Sequence, residues 1–360
     1  MRMKRCRKCG APLSIRMVRK WNSDGTSTSR FSDDGARFCQ IECDEMRCII
    51  EGISSCVGHS IEYLLIDCQR KAARRSMDKF LSMAHGLAGS WARTRVVGWP
   101  LSARAMYATG VGLGQGYTEM LAHQKGRMCR FRVWHPYCAP LLVGDLWGMF
   151  EALNNFTAEA IWVEEGDFIT VTLEKVKDDL VWEEPFRLPL KKMPTLPGEV
   201  NFDRCERCGV PREFTRSIEW DMQRGIANNR ITGRREATIV VEALNAAVGE
   251  LTLEAGDLVP RALCEIEQDY ITGIMGDIVL PKTVREYRML LDEMRVQGMG
   301  NPVDVRKEGD VLTVRVDNPF SEPLLAGKVA GYYQVLEHVL PRVTWTSADE
   351  GYTVIQAWPA

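Results

Sequence analysis

The sequence predicts an α+β protein built as two tandem copies, each with helices first and a small antiparallel sheet after. Three observations predict it. The segment RVWHPYCAPLLVGDLWG (132–148) returns as RVDNPFSEPLLAGKVAG (315–331), at a constant offset of 183. A two-cysteine hook, CRKCGAP at 6–12, returns as CERCGVP at 205–211. Within each half the apolar period changes from helical spacing to strict alternation, the mark of helices followed by half-buried strands.

The repeat is measurable. Over 126–153 ten of 28 positions are identical without a gap, among them Pro136/Pro319, Pro140/Pro323, Gly144/Gly327 and Gly148/Gly331. The hooks match at offset 199 (Arg5/Arg204, Cys6/Cys205, Cys9/Cys208, Gly10/Gly209, Pro12/Pro211, Trp21/Trp220), and Gly25/Gly225, Arg30/Arg230 and Glu42/Glu242 follow at 200. The fall from 200 to 183 places about 17 additional residues in the first half, within 83–110. A proline- and lysine-rich stretch at 186–201 reads as an extended connector. The expected division is a first repeat over 1–190, a linker over 191–201 and a second repeat over 202–360.

Taken in chain order, a polar turn region follows each hook, and in the second half NNRITG joins two short strands as a hairpin. CQIECDEMRCIIEGISSCVG then has helical spacing, and 59–84 continues as a longer helix. The stripe of that helix is Ile61, Leu64, Leu65, Cys68, Ala72 and Met77, and Arg70, Lys71, Arg74 and Arg75 make a solvated face. RMCRFRVW and VLTVRVD alternate as strands. PLLVGDLWGMFEAL is a helix with proline in its first turn. Closing hairpins turn at EEGD and ADEG.

Composition excludes several classes. The chain has 360 residues, 45% hydrophobic and 26% charged, with a formal net charge of −2. That is globular composition, with no global field to draw nucleic acid or an anionic membrane. No apolar run approaches the roughly 18 residues of a bilayer span. The basic N-terminus has no apolar segment behind it, so it is not read as a signal peptide and the expected location is the cytoplasm. Twelve cysteines there read as thiols and metal ligands rather than disulfides.

Each C-x2-C supplies two of the four ligands of a tetrahedral thiolate site. The two hooks together complete one, so Cys6, Cys9, Cys205 and Cys208 are expected to share a zinc, with iron as the other metal that four thiolates suit. A site closed within the first half by Cys39 or Cys43, and unmetallated redox hooks, are the competing readings. Cys39, Cys43 and Cys48 face Ile239, Ala243 and Val248 at offset 200 and read as buried thiols. Cys68, Cys129, Cys138 and Cys264 read as core. GVGLGQG lacks the lysine of a phosphate loop and reads as a turn repeated at VQGMGNP.

The segments GLGQG…GRMCRFRVWHPYCAPLLVGDLWGMFEAL and GMGNPVDVRKEGDVLTVRVDNPFSEPLLAGKVAGYYQVL resemble the 4-vinyl reductase-like domain over about 105–175 and 290–358. The resemblance implies a fold shared with vesicle-tethering TRAPP subunits and an apolar cavity for a small hydrophobic ligand. On that expectation Trp134, His135, Tyr137, Gly144 and Trp147 line the cavity. The cysteines that many such domains carry in the last hairpin are missing from WVEEGDFITV and WTSADEGYTV, so that metal site does not carry over. The expected function is a ligand-binding or scaffold protein with a structural zinc shared between repeats. A reductase on a hydrophobic or tetrapyrrole-like substrate, with a partner electron donor, and a zinc-containing regulator are the alternatives. No catalytic residue is recognisable. A small hydrophobic molecule or a protein is the expected partner, with nucleic acid not favoured and no membrane span.

Overall fold

A computed structural model describes residues 4–30, 36–83, 107–177, 195–276 and 281–360. Most of the segment assigned to the additional residues of the first half, and most of the connector, lie outside these. The first half runs α1 (Leu13–Val18), β1 (Arg19–Trp21), β2 (Ser27–Ser29), β3 (Arg37–Glu42), α2 (Cys43–Val57) and α3 (Glu62–Met83). It continues with β4 (Tyr117–Gln124), β5 (Met128–Trp134), α4 (Ala139–Asn154), β6 (Thr157–Glu165) and β7 (Phe168–Lys177). The second half runs α5 (Arg212–Ser217), β8 (Ile218–Asp221), β9 (Ile226–Asn229), β10 (Arg235–Val240), α6 (Val241–Ala255), α7 (Leu258–Met275) and α8 (Val284–Gln297). It closes with β11 (Asn301–Glu308), β12 (Val311–Asp317), α9 (Glu322–Glu337), β13 (Pro341–Ala348) and β14 (Tyr352–Pro359). The fold is α+β, as the sequence predicts.

Two four-stranded antiparallel sheets, ordered β4-β5-β7-β6 and β11-β12-β14-β13, carry α4 and α9. Their hairpins turn where EEGD and ADEG place glycines at positive φ, Gly166 and Gly351. A third sheet has the order β1-β2-β3-β10-β9-β8 and draws three strands from each half. Its seam is β3 against β10, from Phe38 opposite Val240 to Glu42 opposite Glu236.

This seam corrects the reading of CQIECDEMRC as helix throughout. Residues 39–42 finish a strand, and the helix starts at Cys43 behind Glu42, whose side chain exchanges capping bonds with Glu45. Matching β3 with β10 sets the offset at 198 rather than 200. Cys39, Cys43 and Cys48 then correspond to Ala237, Val241 and Ala246. The conclusion about Cys39 stands, since it is fully buried, whereas Cys43 and Cys48 are half-buried.

The halves reach across one another. Helix α2 packs on α7 of the second half, and α6 packs on α3 of the first. Arg37 of β3 donates to the carbonyls of Asn318 (2.7 Å) and Pro319 (3.0 Å). Arg235 of β10 donates to those of His135 and Pro136, the latter at 3.1 Å. His135 and Asn318 sit at φ 51° and 56°, so each arginine grips a left-handed turn of the opposite half.

Within each half, α3 clasps α4 and α7 clasps α9 through the LLxGxxxG glycines. A Cβ on Gly148 would lie 2.1 Å from the Arg70 carbonyl oxygen, and one on Gly327 2.4 Å from that of Cys264. Only hydrogen fits there. Arg70 and Arg74, expected on a solvated face, are buried instead. Arg70 grips Glu151 bidentately at 2.7 and 3.0 Å, and Arg74 adds a third bond at 3.2 Å. Periodicity alone missed this because a guanidinium that finds a buried carboxylate loses its reason to face water.

The second half places other charges at these positions. Asp145 of α4 accepts from Gln69, whereas Lys328, at the same place in α9, donates to Glu267 (2.6 Å) and to Glu45 of α2 (2.8 Å). The pair Arg70–Glu151 is matched by Gln268–Gln334 at 2.7 Å.

Burial pushes the Asp145 carboxyl up from 3.8 to about 7, with the Gln69 bond opposing. Folding therefore takes up a proton between these values, and stability falls as pH rises from about 4 through 7. Asp145→Asn keeps the Gln69 bond and removes the charge. Denaturant unfolding across pH 4–8 should show the variant more stable at pH 8 by roughly 2–4 kcal/mol and level with wild type near pH 4.

Candidate metal centre

The two hooks are built alike. In the first, the Cys6 N–H donates to Ala11 (2.8 Å), the Gly10 N–H to Cys6 (2.9 Å), and Arg5 bridges Pro12. In the second, Cys205 donates to Val210 (2.9 Å), Gly209 to Cys205 (2.7 Å), and Arg204 bridges Pro211. Gly10 and Gly209 both sit at φ 75°, the left-handed turn that aims two thiols to the same side. Short helices α1 and α5 follow the prolines, and β1 and β8 put Trp21 and Trp220 beneath the hooks.

Arginines and tryptophans hold the hooks across the halves. Arg5 donates to the Trp220 carbonyl, and Arg204 to the Trp21 carbonyl at 2.9 Å. The Trp21 indole donates to Val296 of the second half (2.9 Å), and the Trp220 indole to Gly112 of the first (3.1 Å). Both indoles belong to one apolar cluster with Ile15, Leu113, Phe202, Val210 and Phe214.

The result is a closed quartet. The Sγ atoms of Cys6, Cys9, Cys205 and Cys208 all lie within 4.8 Å of one another. Cys6 and Cys205 are 3.8 Å apart, and Cys9 and Cys208 3.4 Å. Four thiolates about 2.3 Å from a tetrahedral zinc stand about 3.8 Å apart, so the spacing suits a metal ion. Three of the cysteines are buried and Cys9 is half-buried. Burial pushes the Cys6 thiol up, but the backbone N–H groups of Cys9 and Lys8 outweigh it and bring it to about 6. The same balance with Cys208 and Arg207 lowers Cys205. Cys9 and Cys208 are raised, first by burial and then by neighbouring thiols. Four thiols crowded without a cation cannot all ionise, and a divalent ion removes that conflict.

The residues expected to line a ligand cavity lie outside the cysteine quartet, in the first half's sheet, its helix and the turn between them. Trp134 is on the outer face of its sheet against Phe168, with ring centroids 4.8 Å apart. His135 forms the turn gripped by Arg235. Tyr137 is buried in the core. Gly144 is pressed against α3, and Trp147 donates to Ala158 (3.1 Å) under the Arg70 guanidinium. At the junction of α2, α3, α6 and α7 the apolar gap lined by Met46, Ile53, Leu65, Leu244 and Leu263 holds about 10 Å³, room for about one water and far too small for an organic ligand. A cleft of about 530 Å³ opens to solvent between α2 and α3, beside Glu51, Ser55 and His59.

No family model, curated protein or solved structure matches the chain.

Sequence reasoning missed Arg37 and Arg235, since offset 200 does not align them. The spacing of 198 between the strands would have found them.

At Gly10 and Gly209 an added Cβ meets nothing within 4 Å, so alanine costs backbone strain alone. Gly10→Ala and Gly209→Ala should each cost about 1 kcal/mol and weaken metal binding roughly fivefold in competition with a chromophoric chelator.

Proposed function

We propose that the protein is a scaffold whose two repeats are locked together by one structural zinc held by Cys6, Cys9, Cys205 and Cys208. The convergence of two hooks from opposite halves carries this reading. Structural zinc sites have four protein ligands and no open position, as four thiolates provide. Filled by zinc, the quartet would add a strong cross-link to the arginine and indole bonds, the Lys8–Glu206 pair and the apolar cluster that join the hook segments.

The doubled elements, each a four-stranded sheet with an LLxGxxxG helix, support a reading as two tandem copies of one unit, and the resemblance of that unit to the 4-vinyl reductase-like domain rests on its sequence. The nearly filled junction of the central helices favours a scaffold over a carrier of a hydrophobic ligand. The role of the residues themselves is to preorganise the thiolates, donate backbone N–H bonds to them and keep water from three of the four. Bound zinc would supply charge neutralisation and a fixed cross-link.

Elemental analysis with thiol titration tests this on wild type, Cys6→Ser and Cys205→Ser. One zinc per chain, lost equally in both variants, is expected, with a fall in thermal stability. Retention of zinc in Cys205→Ser would move the site into the first half. Iron in place of zinc would keep the site and change the metal.

A further inference from the structure

We propose that the face around the first hook binds the phosphate backbone of nucleic acid. The two hooks share one backbone design, but the first is strongly basic and the second is balanced in charge. Between Lys4 and Trp21 the chain has seven basic residues and no acidic one, whereas 203–220 has four of each. At the hook offset of 199, Lys4, Arg7 and Lys20 stand where the second hook has Asp203, Glu206 and Glu219, three reversals of sign on a common frame. The overall net charge of −2 hides this asymmetry.

The cations are placed to act together. Lys4, Arg7, Arg16 and Lys20 are all exposed. Lys4 lies beside the start of α1, accepting at its carbonyl from the Leu13 N–H at 3.0 Å, and Arg16 is in the same helix. Lys20 is on β1, the outermost strand of the six-stranded sheet, and Arg7 is at the hook tip between the two cysteines. Three of the four belong to the hook and the helix behind it, and Lys20 carries positive charge to the sheet edge. Among the described residues none of the four has a carboxylate within ion-pair distance. Lys8, by contrast, is paired with Glu206 and Arg5 with the Trp220 carbonyl. Unpaired cations concentrated in one short segment create a local potential that a polyanion can neutralise with release of its counterions.

The surroundings favour nucleic acid over a lipid surface. Met17 is the sole exposed large hydrophobic residue of this segment, and Trp21 is buried, so there is little to insert into a bilayer. No exposed aromatic ring offers a base-stacking platform there, so the expected contact is to phosphates and independent of sequence.

The test is fluorescence anisotropy of the full-length, metal-loaded protein with a labelled 30-base-pair duplex. Four phosphate contacts predict that affinity falls roughly a hundredfold between 50 and 200 mM salt. The triple variant Lys4→Glu, Arg7→Glu, Lys20→Glu should lose at least tenfold in affinity at 50 mM and flatten the salt dependence. Arg207→Glu with Arg216→Glu, on the second hook, should change affinity less than threefold. Metal content and circular dichroism of each variant separate a lost surface from a lost fold, so failure here leaves the shared zinc untouched. Absence of duplex binding at 50 mM salt, or equal loss from both sets of variants, overturns the proposal. Saturable binding to phosphatidylserine vesicles with the duplex unbound would overturn it too and assign the face to membranes.

Discussion

The antiparallel seam of β3 with β10 is the contact around which the rest of the molecule is arranged. Five residue pairs, from Phe38–Val240 to Glu42–Glu236, join strands that come from opposite halves of the chain. Because each strand leads into a helix that packs on the other half, the seam orients four helices as well as two sheets. Arg37 and Arg235 emerge from the same strands and bind the turns at Asn318 and His135. The hooks precede the two edge strands of the same sheet, β1 and β8, and their sulfurs meet where Trp21 packs on Phe214 of the other half, ring centroids 4.9 Å apart.

Two kinds of interaction then divide the labour. Apolar packing of Ile, Leu and Val supplies the non-directional part, proportional to area. Direction comes from a small set of buried polar groups, each satisfied by a partner that permits one arrangement. Lys328 shows this best. Its ammonium sits between Glu267 of its own half and Glu45 of the other, so it stitches three helices at one point. Burial together with Glu45 raises Glu267 to about 8, with Lys328 opposing. The ammonium offsets the carboxylates on either side of it, which keeps the burial of the trio tolerable.

Much of this was legible in the residues. The hook pairs, the closing hairpins, the proline-started helices and the core cysteines follow from turn chemistry and period, which are local. The shared sheet was not legible, because β1, β2, β8 and β9 have only three or four residues and no period can be read from so few. Arg70 and Arg74 were placed on the outside because their carboxylate, Glu151, lies 81 and 77 positions away. The cavity expected around Trp134 and Trp147 came from a likeness to other domains. In this chain Trp147 spends its indole on the Ala158 carbonyl and Trp134 lies on the outer face of its sheet.

The separation of the hooks along the chain also imposes a timetable. Cys9 is synthesised 199 residues before Cys208. At about 5–20 residues per second the first hook waits roughly 10–40 s on the ribosome with half a coordination sphere. Two thiolates hold a metal ion far more weakly than four, so the quartet can close only after the second hook has emerged. Metal capture at this quartet would thus be a late event in the protein's biogenesis, and an ion bound there would certify that both halves have been made and have met.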